Sequence, residues 1–346
     1  MSGATERELV GPVDLCDGRG RLNPAAHGWL RRPDLRGNLS RAWGRKKRWD
    51  YWNVNSDELV VSFVYADVDY AGLANVWVME HATGDQTTAG VLQPFAKGFS
   101  MPEAVCTGTV AVTRPLFDLR IEESPTATRL VAHAPKGTGS LRGAIDIDLS
   151  VAKPEGHESL NVVVPWSNRR FQFTSKHNTR PTTGTVRVGD REWTLDASHD
   201  AWGVQDLGRG VWKYSNRWNW ASASGRCADG HVVGLQFGGK WTEGTGSTEN
   251  RLMIDGRLSK ISSELEWTYR WDDPMQPWHV RTVDSDRVDV TLTPTFDRYD
   301  VTDLKALRME VHQCFGTWSG RIVDDLGTEH HLDGIRGFAE EARNRW

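Results

Sequence analysis

Apolar and polar residues alternate with a period of two along much of this chain, and short Gly/Asp turns punctuate the alternation. That pattern restricts the fold to short antiparallel strands joined as hairpins, because in a strand successive side chains face opposite ways. Leu119-Arg120-Ile121-Glu122 and Ala144-Ile145-Asp146-Ile147-Asp148-Leu149 read as strands with one wet face. Val60 to Tyr65 and Asn75 to Met79 are apolar, β-rich runs, and Val162 to Val164 reads as a more buried strand. Gly189-Asp190 and Asp255-Gly256 each join two such runs, and Asp229-Gly230 leads into His231 to Phe237. Asp-Gly readily supplies the positive φ angles of a type I′ hairpin turn. Later strands are expected at Leu265 to Arg270, Val288 to Thr293 and Arg308 to Phe315, with short helices only at Val301 to Leu307 and Phe338 to Asn344.

Many short strands at this spacing predict an all-β sandwich or barrel. Arg48-Trp49-Asp50-Tyr51-Trp52 before the Val60 strand is echoed by Arg217-Trp218-Asn219-Trp220 before the Val232 strand, which suggests a duplicated unit. The expected organisation is a loop-rich segment over 1–45, a barrel-like domain over 46–178 and a second over 179–346. Lys176-His177-Asn178-Thr179-Arg180-Pro181 reads as the connection between the barrels.

With 38% hydrophobic and 25% charged residues the chain has ample material for a core, and a net charge of −4 gives no reason to expect a nucleic-acid partner. No apolar run is long enough for a spanning helix, so no stable membrane insertion is expected. The opening MSGATERELVGP lacks the order of a secretory signal, and Cys16, Cys106, Cys227 and Cys314 are scattered, so a cytoplasmic location with reduced thiols is expected. The cysteines form no C-x-x-C pair and His330-His331 lacks further ligand spacing, so neither a metal nor a cofactor is expected. G-x-S-x-G, H-E-x-x-H, phosphate-loop and dinucleotide motifs are missing.

Tryptophan is the compositional anomaly: 17, against 10 Phe and 6 Tyr. The densest polar-aromatic stretch runs from Asp196 to Trp220. Trp218 and Trp220, two apart on a strand, share a face. Asp200 and His199, at the turn before Trp202-Gly203, are candidates for the rim of a cavity that these indoles line. A carboxyl group held against indoles stays protonated near neutrality, and indole faces stabilise a passing cation. The candidate catalytic residues are therefore Asp200, as acid, with His199 or Asp206 as base. Trp202, Arg209, Tyr214, Trp218, Trp220, Glu249 and Asn250 are candidate ligand contacts.

The pattern His199-Asp200-Ala201-Trp202-Gly203 followed by Trp218-Asn219-Trp220 resembles the motif of the carotenoid 1,2-hydratase and AttH-like families. Ala201 and Asn219 stand where those families carry acids. The resemblance implies tandem lipocalin-like barrels and a cavity for a hydrophobic ligand. Over most of its length the chain is similar to the domain-of-unknown-function 2804 family. That likeness is carried by Asn23-Pro24, Gly28-Trp29, Arg32-Pro33, Lys47 to Trp52, Asp206 to Tyr214, Glu249-Asn250 and Asp255-Gly256. Three functions fit these residues: a cofactor-independent hydratase, lyase or cyclase acting on an isoprenoid- or polyketide-like molecule; a non-catalytic lipocalin-like binder of such a ligand; or a carbohydrate-active or carbohydrate-binding protein. The sequence leaves the oligomeric state open.

Overall fold

The computed structural model describes residues 6–303, 305 and 307–346. These residues form two large, curled antiparallel sheets, one of 14 strands and one of nine, with a small parallel pair beside them. The first sheet has a continuous path through Gln86–Pro94, Ala71–Glu80, Leu59–Asp67, Lys46–Asn55, Trp202–Val211 and Arg170–Val188. It continues through Ile145–Ala152, Ala127–Ala134, Phe117–Glu123 and Thr109–Arg114. The second runs Arg257–Ile261, Asn250–Ile254, Val232–Gly239, Ser215–Arg226, Glu329–Arg345, Arg308–Val323, Val288–Asp303, Trp278–Thr282 and Leu265–Thr268. Each sheet curls around its own apolar core. One core contains Trp52, Phe63, Leu119, Ile147 and Trp193, the other Leu235, Phe237, Trp278, Val290 and Trp318. A third apolar cluster, with Val60, Trp77 and Val204 from the first sheet and Trp220, Phe315 and Phe338 from the second, fills the seam between them.

The hairpins follow from their turns. Val188 pairs with Arg191 across Gly189-Asp190, and Ile254 with Arg257 across Asp255-Gly256. Asp255 and Gly256 both have positive φ, 46° and 79°, as a type I′ turn requires.

Three expectations meet a different structure. The stretch 176–181 is no surface connection: it lies inside the 19-residue strand Arg170–Val188 and is almost entirely buried. A bulge between His177 and Arg180, with Thr179 at φ 55°, bends the strand there. Asn178 Nδ2 donates to the carbonyls of Leu235 (2.8 Å) and Ala223 (3.3 Å), and the Thr179 N–H donates to Ser224 Oγ (2.9 Å). Polar residues that read as a loop thus fasten the first sheet to the second. The change of sheet falls after Trp202–Val211, not at residue 178.

Phe338 to Asn344, expected as a helix, lies in the strand Glu329–Arg345, hydrogen-bonded on both edges. Tertiary pairing overrides the helix-forming Ala and Glu there. Val301 to Asp303 ends the strand Val288–Asp303, and residues 304 and 306 of the other expected helix lie outside the described residues. The N-terminal segment is loop-rich but anchored. Trp29 packs with Leu160, Val162, Met253 and Leu258, and Arg31 ion-pairs with Glu158 at 3.0 Å.

Candidate functional site

Facing strands aim one row of side chains from each sheet into the seam. Asp206 sits opposite Lys176 on one neighbouring strand and Tyr51 on the other. By strand alternation Thr174 and Trp49 share that face. The second sheet answers with the cross-strand row Trp220, Glu340 and Gln313. Trp218 lies on the Trp220 face, two residues back along the same strand.

The result is one buried ammonium among carboxylates held by indoles. Lys176 Nζ lies 2.9 Å from Asp206 Oδ1 and 3.4 Å from Glu249 Oε1, and 4.2 Å from the centre of the Trp220 ring. Each acid accepts an indole N–H. Trp49 donates to Asp206 Oδ2 (3.1 Å), Trp241 to Glu249 Oε2 (2.8 Å) and Trp218 to Glu340 Oε1 (2.8 Å). Gln313 Nε2 donates to Glu340 Oε2 (2.9 Å), and Thr174 Oγ1 to Asp206 Oδ1 (3.1 Å). Lys176, Asp206, Glu249 and Glu340 are all buried.

Burial sets the protonation states. It opposes the Lys176 charge, but Asp206 and Glu249 together outweigh it and the lysine pKa is raised. Burial also raises Glu249, against the pull of Lys176. Glu340 is pushed up to about 7, first by burial; the Trp218 N–H and the Lys176 charge only partly offset this. At neutral pH this acid is poised between its two forms.

Glycine makes room for the arrangement. A Cβ on Gly208 would stand 2.2 Å from Trp49 Cζ2 and 2.5 Å from Gln172 Nε2. Gly208→Ala is therefore expected to cost about 1–3 kcal/mol or more through overpacking and displacement of the Trp49 indole. Gly18→Ala, where an added Cβ meets nothing within 4 Å, should stay within about 0.5 kcal/mol of the parent. Urea denaturation of both variants checks this, and equal midpoints would refute the steric reading.

The expected site residues divide. Asp206, Trp218, Trp220 and Glu249 meet in the seam. Asp200 does not join them: it is exposed, at φ 46° on the turn after a 3-10 helix spanning Ala197–His199, and accepts the Trp202 N–H at 2.6 Å. Its side chain is exposed at the surface, whereas the carboxylates of the seam are buried. His199 lies on the same turn, 3.0 Å from Asp196. Trp202 is buried beside them, with Arg226 over its ring. Asn250 holds backbone, accepting from the Gly238 N–H and donating to the Ser263 carbonyl. Tyr214 is 43% exposed, with Arg45 over its ring.

Arg209 belongs to a second buried polar group, on the other side of the first sheet, where it donates to the carbonyls of Trp49 and Gly208. Asp50, Gln205, Cys106, Glu123 and Arg209 surround a cavity of about 10 Å³ or contact its wall, room for about one water. Burial and the nearby Glu123 raise Asp50 to about 7. Burial likewise raises the Cys106 thiol to about 12, which leaves it protonated rather than nucleophilic.

Lys176, Glu340, Trp49 and Trp241 escaped sequence reasoning. Lys176 sat in an apparent linker and Glu340 in an apparent helix. Trp49 was visible only as half of the internal echo.

A groove of about 430 Å³, lined by Met79, His81, Ala82, Thr83, Gly84, Thr295 and Phe296, opens at the seam. Met79 and Phe296 belong to the same apolar cluster as Trp220. Fold and cluster together define a tandem β-barrel protein with a buried acid–lysine–indole centre between its barrels.

The chain belongs to the family described as a domain of unknown function, DUF2804, whose family model matches residues 6–346. No curated protein is significantly similar to it. Among solved structures it is similar to kievitone hydratase from Nectria haematococca, with 10% identity, 86% of this chain and 88% of that chain covered, and a TM-score of 0.50. It is also similar to a putative AttH from Nitrosomonas europaea (12% identity, 86% and 92% covered, TM-score 0.49). CghA with Sch210972 matches at 9% identity over 89% and 90% of the two chains, with a TM-score of 0.46. At such identities the likeness is one of fold. Among the described residues no helix is long and apolar enough to cross a membrane.

Proposed function

We propose that the protein is a cofactor-independent acid–base enzyme, a hydratase, lyase or cyclase, that works on a hydrophobic small molecule at the seam between its barrels. The observation that carries this reading is Glu340: a buried carboxyl group with a pKa of about 7, beside an ammonium and indole rings. A general acid acts best with a pKa near the working pH. In hydration, the Glu340 proton forms a C–H bond with the π electrons of an alkene, and the adjacent carbon becomes cationic. The Trp220 and Trp218 faces stabilise that charge. Water then adds to the cation and gives its extra proton to Asp206, which Lys176 holds in place. In cyclisation an internal π bond replaces the water. Entry of substrate from the groove is supported by Met79 and Phe296, which line it and pack in the same apolar cluster as Trp220.

The kinship in fold with a hydratase agrees with this reading, and the carbohydrate alternative fits less well. Sugar binding needs exposed indole platforms, whereas Trp212, Trp220 and Trp241 are buried.

The test takes freshly purified protein, identifies a co-purified apolar molecule by native mass spectrometry, and incubates it and a panel of polyenes with the protein in D₂O. A product gaining the mass of water, or an isomer carrying carbon-bound deuterium, supports the proposal if Glu340→Gln abolishes it. A passenger recovered without label or mass change, with no member of the panel converted, overturns it in favour of a carrier.

A further inference from the structure

The turn at Cys227 to His231, between the strands Ser215–Arg226 and Val232–Gly239, abuts the start of Glu329–Arg345. His330 is buried there, with 1% of its surface exposed. Its Nε2 lies 3.5 Å from Asp324 Oδ2. Its Nδ1 lies 3.4 Å from Asp229 Oδ2, yet is buried without a hydrogen-bond partner. A buried polar atom left unpaired costs free energy, so this nitrogen calls for a partner. His231 presents its ring edge-on to His330, with centroids 5.2 Å apart, and its own Nδ1 is engaged by Asp255 Oδ2 at 2.6 Å. One ligand atom each from Asp229, His231 and His330 lie within 4.8 Å of one another.

We propose that Asp229, His231 and His330 form a binding site for a divalent transition metal of the zinc type, with water as fourth ligand. Tetrahedral zinc with bonds of about 2.0–2.1 Å sets neighbouring ligand atoms about 3.4 Å apart, the spacing already present between His330 Nδ1 and Asp229 Oδ2. The outer contacts fit as well. Asp324 on His330 and Asp255 on His231 occupy one nitrogen of each ring and leave the other for the metal, the usual carboxylate–histidine–metal relay. Two imidazoles select zinc, nickel or cobalt over calcium. Metal binding at His330 is not expected from the sequence, since the adjacent His331 adds no ligand spacing; His331 is exposed and pairs with Glu329 at 3.0 Å. Asp229 and His231 come from one turn and His330 from a strand about 100 residues later in the chain, so no local spacing in the sequence reveals the set. Metal bound here would clip the Cys227–His231 turn to the last strand and stabilise the second sheet.

The full chain, stripped with chelator, is titrated with zinc alone by calorimetry and with cobalt alone by visible absorption. One equivalent should bind, with a rise in melting temperature and tetrahedral cobalt bands. His231→Ala, at a half-exposed side chain, should keep the fold by circular dichroism and lose at least about tenfold in affinity, as should Asp255→Asn through the outer shell. Absence of saturable binding, binding unchanged in His231→Ala and Asp229→Asn, or displacement of zinc by equimolar calcium would each overturn the assignment.

Discussion

Replacing Lys176 by methionine should destabilise the protein by about 3–5 kcal/mol at pH 8, because it strips the buried carboxylates of their counter-charge. Lys176 touches both Asp206 and Glu249, and all three side chains are nearly inaccessible to water. Methionine fills most of the lysine's volume, so the loss reports charge rather than a cavity. Without the ammonium, Glu249, whose pKa burial already raises against the pull of Lys176, is driven higher still in the folded state. Groups with folded pKa values raised above their unfolded ones destabilise above that range and cease to do so as pH falls through the unfolded values. The deficit should therefore shrink from pH 8 to pH 5. Adding Asp206→Asn and Glu249→Gln should restore most of the stability. Urea denaturation at the two pH values measures this. A deficit below about 1 kcal/mol at pH 8, or one indifferent to pH, would show that the lysine is not the charge at the centre of the seam.

Glu340→Gln should separate stability from activity. In the parent, the folded pKa of about 7 exceeds the ordinary value of 4.5, so the folded state binds the proton more tightly. Stability then falls as pH rises from about 4.5 to about 7, and the penalty is fully present above that, on the order of 3 kcal/mol at most. Glutamine is neutral throughout. Its carbonyl oxygen can still accept the Trp218 N–H, and rotation of the Gln313 amide restores the second contact. Relative to the parent, the variant should gain stability between pH 5 and pH 8. It should also lose about 10²- to 10⁴-fold in turnover of any substrate found by deuterium labelling. Parallel stability–pH curves for parent and variant would show that Glu340 is ionised in the folded protein, and would remove it as the acid.

Most of the secondary structure was legible because alternation and turn chemistry are local. The runs around Gly189-Asp190 and Asp255-Gly256 needed nothing beyond neighbouring residues to specify a hairpin. The site was only half legible. The indoles at 218 and 220 and the carboxylate at 206 lie close together in sequence and are aromatic or acidic in a β context. Asp200 is marked by its nearness to these indoles in sequence and by the His199-Asp200-Ala201-Trp202-Gly203 pattern, but the turn that carries it is exposed. Glu340 escaped because Phe338-Ala339-Glu340-Glu341-Ala342 has helix-forming composition. Lys176 escaped because its polar neighbours imitate a linker.

By itself the sequence determined the all-β class, the positions of the hairpins and the kinship with the family, all of which rest on patterns within a strand or its turn. The tertiary structure alone decided which acids become buried, which indole meets which carboxylate, and that His330 lies beside the turn that carries Asp229 and His231. Those outcomes depend on the register and curl of two sheets pressed face to face. Desolvation, the force that moves Glu340 toward neutrality, has no value until that seam closes.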